Sequence, residues 1–357
     1  ESVVGRGPTK MTIRVADGPQ VDLRVVPAKS FGAALVYFTG SKQHNIVLRG
    51  MAKDRGLKIN EYGVFRVRDE KETFVAGRTE KEVYKALELP WIPPTLREAR
   101  SEFDWAEEDA LPKLVELDDL LGDLHMHTTA TDGKATLEEM VDAARARGLK
   151  YIAITDHSKR VTMANGLDGK RLRRQWKEID KLNESLRGFR VLKGVEVDIL
   201  ERGGLDLPDE VLAEADWVVA SVHYGQNQSQ DQITQRVIGA LENPNVSAIA
   251  HPTGRLLNRR KAYEIDLDAV YKAAQANNKI LELNANPRRL DLDDVACAAA
   301  KRHGIPIVIS SDAHSTDGLA VLRYGINQAR RAGLTKQDVA NARPLDKLLA
   351  LVAKGRK

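Results

Sequence analysis

The residues able to do chemistry in this chain form a recurring pattern. Gly122-Asp123-Leu124-His125-Met126-His127 sets two imidazoles two residues apart, and Asp132 follows five residues later. On an extended segment such side chains leave the same side, so His125 and His127 can offer two nitrogens to one metal ion. An HxH pair alone is weak evidence. The pattern continues, though: Asp156-His157, Glu196, His223, His251, Asp312 and His314 each stand just past an apolar run. A hydrogen-bonded core histidine explains any one of these, but not nine competent ligands in sequence. Six of the chain's eight histidines fall in the pattern. His303 precedes Gly304 at an expected helix C-terminus, where a cation is favoured, and His44 lies near a Gly-Ser turn. Asp156 reads either as a support for a ligand or as a helix cap.

The elements that must position these residues alternate from residue 120 onward. Strand-like runs fall at 120–124, 151–155, 191–197, 217–222, 246–250, 280–283 and 305–309, with amphipathic helices such as 137–147, 170–186 and 295–303 between them. This predicts an α/β fold, a distorted seven-stranded (βα)7 barrel of the TIM type, one strand short. An open doubly wound sheet would spread the strand ends along a crevice. Polar residues follow all seven strands, which favours the barrel, where those ends meet on one face.

Over 357 residues, 42% of them hydrophobic, more than one core is expected. A net charge of +4 does not by itself argue for nucleic acid. The single cysteine, Cys297, excludes a disulfide framework and fits a reducing, cytoplasmic compartment. No run of 18 apolar residues suggests a membrane span, and no signal peptide is evident. The chain opens on Glu1 and enters a strand within a few residues, so it is expected to be a piece of something longer.

Ahead of the barrel, residues 11–26 read as a hairpin around Asp17-Gly18, with Asp22 facing opposite to Val21, Leu23 and Val25. Helices are expected at 30–37, 42–55 and 79–87, with strands around 59–65 and 74–75. Residues 91–119 carry Pro93, Pro94 and Pro112, and read as a linker. Three basic and eight acidic residues over 91–118, against sixteen and eleven over 1–90, mark a boundary or a segment packed along a basic neighbour.

Two stretches resemble known families. Tyr37-Phe-Thr-Gly-Ser41, followed by Asn45 and Arg49, is similar to the thumb of family X DNA polymerases. The resemblance implies that Gly40 and Ser41 approach the incoming nucleotide, with Asn45 at its minor-groove edge and Arg49 on the template. Asp22 then resembles the third palm carboxylate, a ligand for Mg²⁺ or Mn²⁺. The other two palm carboxylates are missing before it, so this stretch is not expected to polymerise. Residues 120–357 resemble the PHP (polymerase and histidinol phosphatase) domain through His125-x-His127, Thr155-Asp156-His157, Gly194-Val-Glu196, Ser221-Val-His223, Ala250-His251-Pro252 and Ser311-Asp312-Ala313-His314. The implied organisation is palm end 1–28, thumb 29–90, linker 91–119 and PHP domain 120–357, the C-terminal part of a bacterial family X polymerase.

The PHP resemblance implies three divalent ions, Mn²⁺ or Zn²⁺. His125, His127, Glu196 and Asp312 would hold the first; Glu196, His223 and His251 the second; Asp132, His157 and His314 the third. A water shared by two ions would be acidified and attack phosphorus, with His125, His127, Glu196, Asp312 and His314 as catalytic core and no protein nucleophile needed. The expected activity is hydrolysis at DNA 3′ ends of gapped or nicked duplexes: 3′→5′ exonuclease, 3′-phosphatase and incision at abasic sites, in base excision repair, by a monomer. Basic groups in the loops, among them Arg171, Arg255, Arg259 and Arg288-Arg289, are candidates to bind phosphate, and Tyr224 and Trp176 to stack on bases or pack in the core. A small-molecule phosphatase of the histidinol-phosphate type and a catalytically silent scaffold are the alternatives.

Overall fold

The structure is a computed structural model and describes residues 2–69 and 71–356. The chain forms two compact units, divided between Pro112 and Lys113.

In the first unit, β1 (Ser2–Arg6), β2 (Lys10–Arg14) and β3 (Gln20–Arg24) form an antiparallel sheet. Asp22 lies on exposed β3, accepting from Thr12 Oγ1 at 2.7 Å and pairing with Lys10 Nζ at 3.1 Å. Helices α1 (Phe31–Thr39) and α2 (Lys42–Asp54) follow, broken at Gly40, whose φ of 73° suits a residue without Cβ. Ser41 Oγ caps α2 by accepting from His44 N. A second antiparallel sheet, β4 (Leu57–Asn60), β5 (Gly63–Arg68) and β6 (Lys71–Ala76), leads to α3 (Glu80–Lys85), capped by Thr79. The proline-rich stretch carries more order than its composition suggests, including α4 (Glu102–Glu107). Buried His44 explains this: its Nδ1 lies 2.9 Å from Glu102 Oε1 and its Nε2 2.8 Å from the Tyr84 hydroxyl, tying α2, α3 and α4 together.

The second unit is the barrel. Its parallel strands are β7 (Gly122–Asp123), β8 (Tyr151–Ile154), β9 (Arg190–Asp198), β10 (Trp217–Ser221), β11 (Ala248–Ile249), β12 (Ile280–Asn284) and β13 (Ile307–Ser310), and they pair in chain order. Between and after them come α5 (Leu137–Ala146), α6 (Gly169–Ser185), α7 (Asp209–Leu212), α8 (Gln230–Glu242), α9 (Leu267–Ala276), α10 (Asp294–Arg302), α11 (Leu322–Arg331) and α12 (Leu345–Lys354). Period-two alternation splits the strand residues between two cores. Ile152, Val195, Val218, Leu281 and Ile307 face the helices, whereas Tyr151, Leu192, Trp217, Val219, Ile280 and Val308 meet one another and are plugged by Leu348 and Val352 of α12. Glu196, Ser221, Glu282 and Asp312 continue the second set, at even spacing toward the C-terminal strand ends.

The barrel is nearly closed. Met126 and Ala313 bridge the first and last strands, with His127 N donating to Ala313 O at 2.8 Å. Lower down, buried Asn341 does the joining. Its Nδ2 donates to Gly122 O at 2.7 Å and Ile309 O at 2.8 Å, and its Oδ1 accepts from Ile309 N at 3.0 Å. Replacing Asn341 with leucine strands three buried backbone groups, which costs about 3 kcal/mol. A fall of roughly 6–12 °C in the barrel's thermal midpoint is expected, measurable by calorimetry; an unchanged midpoint would show that the closure does not depend on this amide.

Candidate metal centre

The ligand-type side chains arrive at the barrel mouth by the same alternation that builds the inner core. Glu196 is four residues beyond core Leu192, and Asp312 four beyond Val308, so both face inward. His125 and His127 leave one side of the extended segment after β7, as their spacing predicts. His251 (φ 29°) and Asp312 (φ 52°) adopt left-handed backbone, uncommon for such residues, and such strain concentrates where function demands a fixed geometry.

Glu196 sits at the centre. Its Oε2 lies 3.4 Å from His125 Nε2, 3.6 Å from His127 Nε2 and 2.8 Å from His157 Nδ1. Its Oε1 lies 3.4 Å from His223 Nε2 and 3.1 Å from His251 Nε2. Asp312 Oδ1 is 3.3 Å from His127 Nε2 and 3.7 Å from His125 Nε2. Asp132 stands within 3.6 Å of His157 Nε2 and 3.4 Å of His314 Nε2, and 3.9 Å from His127 Nδ1. Two ligands of one ion, each about 2.1 Å from it, stand roughly 3–3.5 Å apart, so these spacings suit shared cations. Three groupings could each hold an ion: His127, Asp132, His157 and His314; His125, His127 and Asp312; His157, Glu196 and His223. Buried His125 Nε2 and both nitrogens of His127 lack a hydrogen-bond partner. Unpartnered buried imidazole nitrogens beside carboxylates fit the demands of a divalent metal.

Electrostatics agree. Burial pushes Glu196 upward, but His157, His223 and His125 outweigh it and hold the carboxyl well below its usual range. Asp312 behaves alike: burial opposes, and His125 with His127 and Arg289 prevails. Burial lowers His157 but Glu196 and Asp132 raise it to about 10, whereas burial and the neighbouring His157 bring His127 down to about 4. The carboxylates that raise His157 are the groups that would draw a divalent cation to this mouth.

A second layer supports the ligands, and two of its members, Glu282 and Asp198, escaped sequence reasoning. Buried Glu282 places Oε1 2.7 Å from His125 Nδ1 and accepts from His251 N at 2.6 Å, aiming His125 Nε2 into the site. Asp198 Oδ1 is 3.2 Å from His223 Nδ1, with Arg160 Nε 3.1 Å behind its other oxygen. Asn284 Nδ2 donates to Asp312 Oδ2 at 3.1 Å. Alternation held the clue, because Glu282-Leu-Asn284 and Glu196-Val-Asp198 are same-side pairs within apolar strands. Asp156 caps no helix; it accepts from Thr128 N (2.9 Å), Thr128 Oγ1 (2.6 Å) and Thr131 Oγ1, pinning the loop that carries Asp132.

The basic and aromatic candidates divide. Arg289 reaches the site, its Nε 3.5 Å from Asp312 Oδ2. Arg255 turns inward, donating to Arg289 O at 2.8 Å and to Leu290 O, so it acts through the loop it braces. Arg259 is exposed, and Arg171 donates to backbone carbonyls of Asn165 and Gly166. Trp176 is core, its indole N–H donating to Gly194 O, while Tyr224 lies under the Arg160 guanidinium. In the first unit, Asn45 Nδ2 donates to Tyr37 O, and Arg49 is exposed one turn on.

Comparison with known proteins accords with this geometry. The DNA polymerase beta thumb family matches residues 34–98, and the PHP domain family matches 123–286. A protein of Acetivibrio thermocellus named "Probable phosphatase" is 35% identical over 201 residues, 54% of this chain and 78% of that one. The chain belongs to the PHP family. It also matches the DNA polymerase/3′-5′ exonuclease PolX of Bacillus subtilis (strain 168) at 44% identity over 348 residues, 97% of this chain. The chain spans 60% of the length of that polymerase, and its thumb and PHP parts are those of the bacterial family X polymerases. A Lactococcus lactis histidinol phosphate phosphatase, solved with zinc, L-histidinol and phosphate, aligns at a TM-score of 0.42 and 17% identity, over 58% of this chain and 93% of that one. Among the described residues, no helix is long and apolar enough to cross a membrane.

If the PHP centre holds structural cations, chelation should lower the barrel's thermal midpoint, and Mn²⁺ or Zn²⁺ should restore it. Glu282→Gln should weaken metal retention about tenfold by releasing His125. Metal content after graded dialysis, read by mass spectrometry, tests both; wild-type retention by Glu282→Gln would leave Glu282 without a role in metal binding.

Proposed function

We propose that the chain is a metal-dependent phosphoesterase acting on DNA 3′ ends. One observation carries this reading: six histidines and three carboxylates converge at one barrel mouth, with imidazole nitrogens unpartnered, in a chain that also holds a polymerase-type thumb. The 3′-5′ exonuclease in the name of the Bacillus subtilis relative supports the polarity.

The proposed assignment of ligands is the one the family resemblance implies. Glu196, His125, His127 and Asp312 would hold a first ion, Glu196 with His223 and His251 a second, and Asp132, His157 and His314 a third. Divalent ions in such a cluster supply Lewis acidity and a water acidic enough to attack phosphorus at neutral pH. The chain's own side chains fix where those charges sit. Glu282 and Asp198 orient His125 and His223, and Asp156 holds the Asp132 loop. Asp132 adds an oxygen ligand to the third set, which suits Mn²⁺ as well as Zn²⁺.

The thumb would contact DNA through Gly40, Ser41, Asn45 and Arg49, with Arg259 as a further contact from the barrel loops. Asp22 would join the palm carboxylates, Mg²⁺ or Mn²⁺ binding there, only in a longer polypeptide. Palm end 1–28, thumb 29–90, linker 91–119 and PHP domain 120–357 remain the proposed divisions. Removal of 3′-phosphates and incision at abasic sites use the same chemistry, and a monomeric, cytoplasmic repair enzyme is the setting proposed.

A 5′-labelled duplex with Mn²⁺ tests the reading. The chain should produce a ladder shortened from the 3′ end, and His125→Ala with His127→Ala should reduce the rate at least a thousandfold. Hydrolysis of histidinol phosphate without any ladder would move the assignment to a small-molecule phosphatase, and inactivity on both to a scaffold.

A further inference from the structure

Beside the metal centre lies a second cavity of about 480 Å³, and the two share Arg289, Asp312 and His314 as walls. Its remaining lining includes Leu256, Asn286, Arg288, Ser311, Ser315 and Val321, none of them a candidate metal ligand. The size falls in the range of small-molecule sites. Apolar side chains stand there beside an amide, two serines and two guanidinium groups. That mixture suits a base and a sugar next to a phosphate.

Arg289 stands at the boundary, its Nε 3.5 Å from Asp312 Oδ2 and its side chain 19% exposed. Its turn is fixed from behind. Arg289 N and Leu290 N donate to Asn286 O, Asn286 N donates to Asn284 Oδ1 at 3.1 Å, and Arg255 grips the carbonyls of Arg289 and Leu290. A guanidinium held this way is preorganised for the planar fork that phosphate oxygens accept.

We propose that this second cavity seats the 3′-terminal nucleoside of the strand being shortened, with Arg289 binding the phosphate beside it. The ligand class is a deoxynucleoside 5′-monophosphate, attached or just released. The inference rests on the nuclease reading above and deepens it.

Val321→Trp, which fills the cavity from its wall, tests this with Arg289→Ala and Arg289→Lys. Two substrates are compared with Mn²⁺: a 5′-labelled oligonucleotide, and bis(p-nitrophenyl) phosphate, which has no nucleoside. For Val321→Trp, the ratio of the two kcat/KM values should fall at least tenfold toward the small ester. Inhibition by thymidine 5′-monophosphate should weaken by a similar factor. Arg289→Ala should raise the KM for the oligonucleotide at least tenfold, with Arg289→Lys intermediate. Asn286→Ala, which removes one amide, replaces Val321→Trp if the latter loses metal or its thermal transition. A ratio and an inhibition constant within twofold of wild type in the filled variant would overturn the assignment, while the wild-type ladder would still stand. A wild-type chain that hydrolyses the small ester and leaves DNA intact would remove the nuclease reading and this inference together.

Discussion

The barrel mouth is organised by one buried carboxylate. Glu196 is 1% exposed, and a carboxylate taken out of water costs several kcal/mol unless positive charge surrounds it. Five imidazoles surround it, three on one oxygen and two on the other, and His157, His223 and His125 among them hold its carboxyl below the usual range. They come from the ends of β7, β8, β10 and β11, while Glu196 itself is on β9. No local segment could gather them. The site therefore exists only if the sheet curls until its ends meet, which makes the contacts between β7 and β13 a condition of the chemistry. Asn341 and the Met126–Ala313 bridge are that condition in atoms.

The interior consequently divides along the barrel axis. Its lower part is apolar and ends in α12, and its upper part is charged and answers to function rather than to stability. Between them lies the layer of Glu282, Asp198 and Asn284, which face the ligands from inside the strands. Buried carboxylates here are a cost accepted for orientation, since each fixes the ring or carboxyl that a cation would meet. The left-handed backbone of His251 and Asp312 is held by the same layer, through Glu282 on His251 N and Asn284 on Asp312 Oδ2.

The unit before the barrel uses a comparable device on a smaller scale. Buried His44, Glu102 and Tyr84 hold a thumb helix to the acidic stretch that follows, so that stretch is ordered where composition suggested a tether. Polar contacts of this kind are directional, and they make a proline-rich segment adopt one path where apolar packing alone would leave several.

What the residues alone determined follows from local periodicity. Spacing of two on a strand shows which side chains share a face, so the candidate residues from His125 to His314, the seven strand ends and the barrel could be read without coordinates. The thumb helices were legible for the same reason, from their caps and breaks. What tertiary structure decided was non-local. Glu282 lies 157 residues from the His125 it orients, and Asn341 about 220 from the strand it joins; no pattern along the chain pairs them. The same limit governs the arginines. Arg255 and Arg289 look alike as basic loop residues, yet one is spent on backbone carbonyls and the other faces the metal centre. Trp176 likewise went to the core because its indole met Gly194 O. Charge type is written in the sequence, but which partner satisfies a charge depends on what folding brings within 3 or 4 Å of it, since hydrogen bonds and buried ion pairs act only at that range.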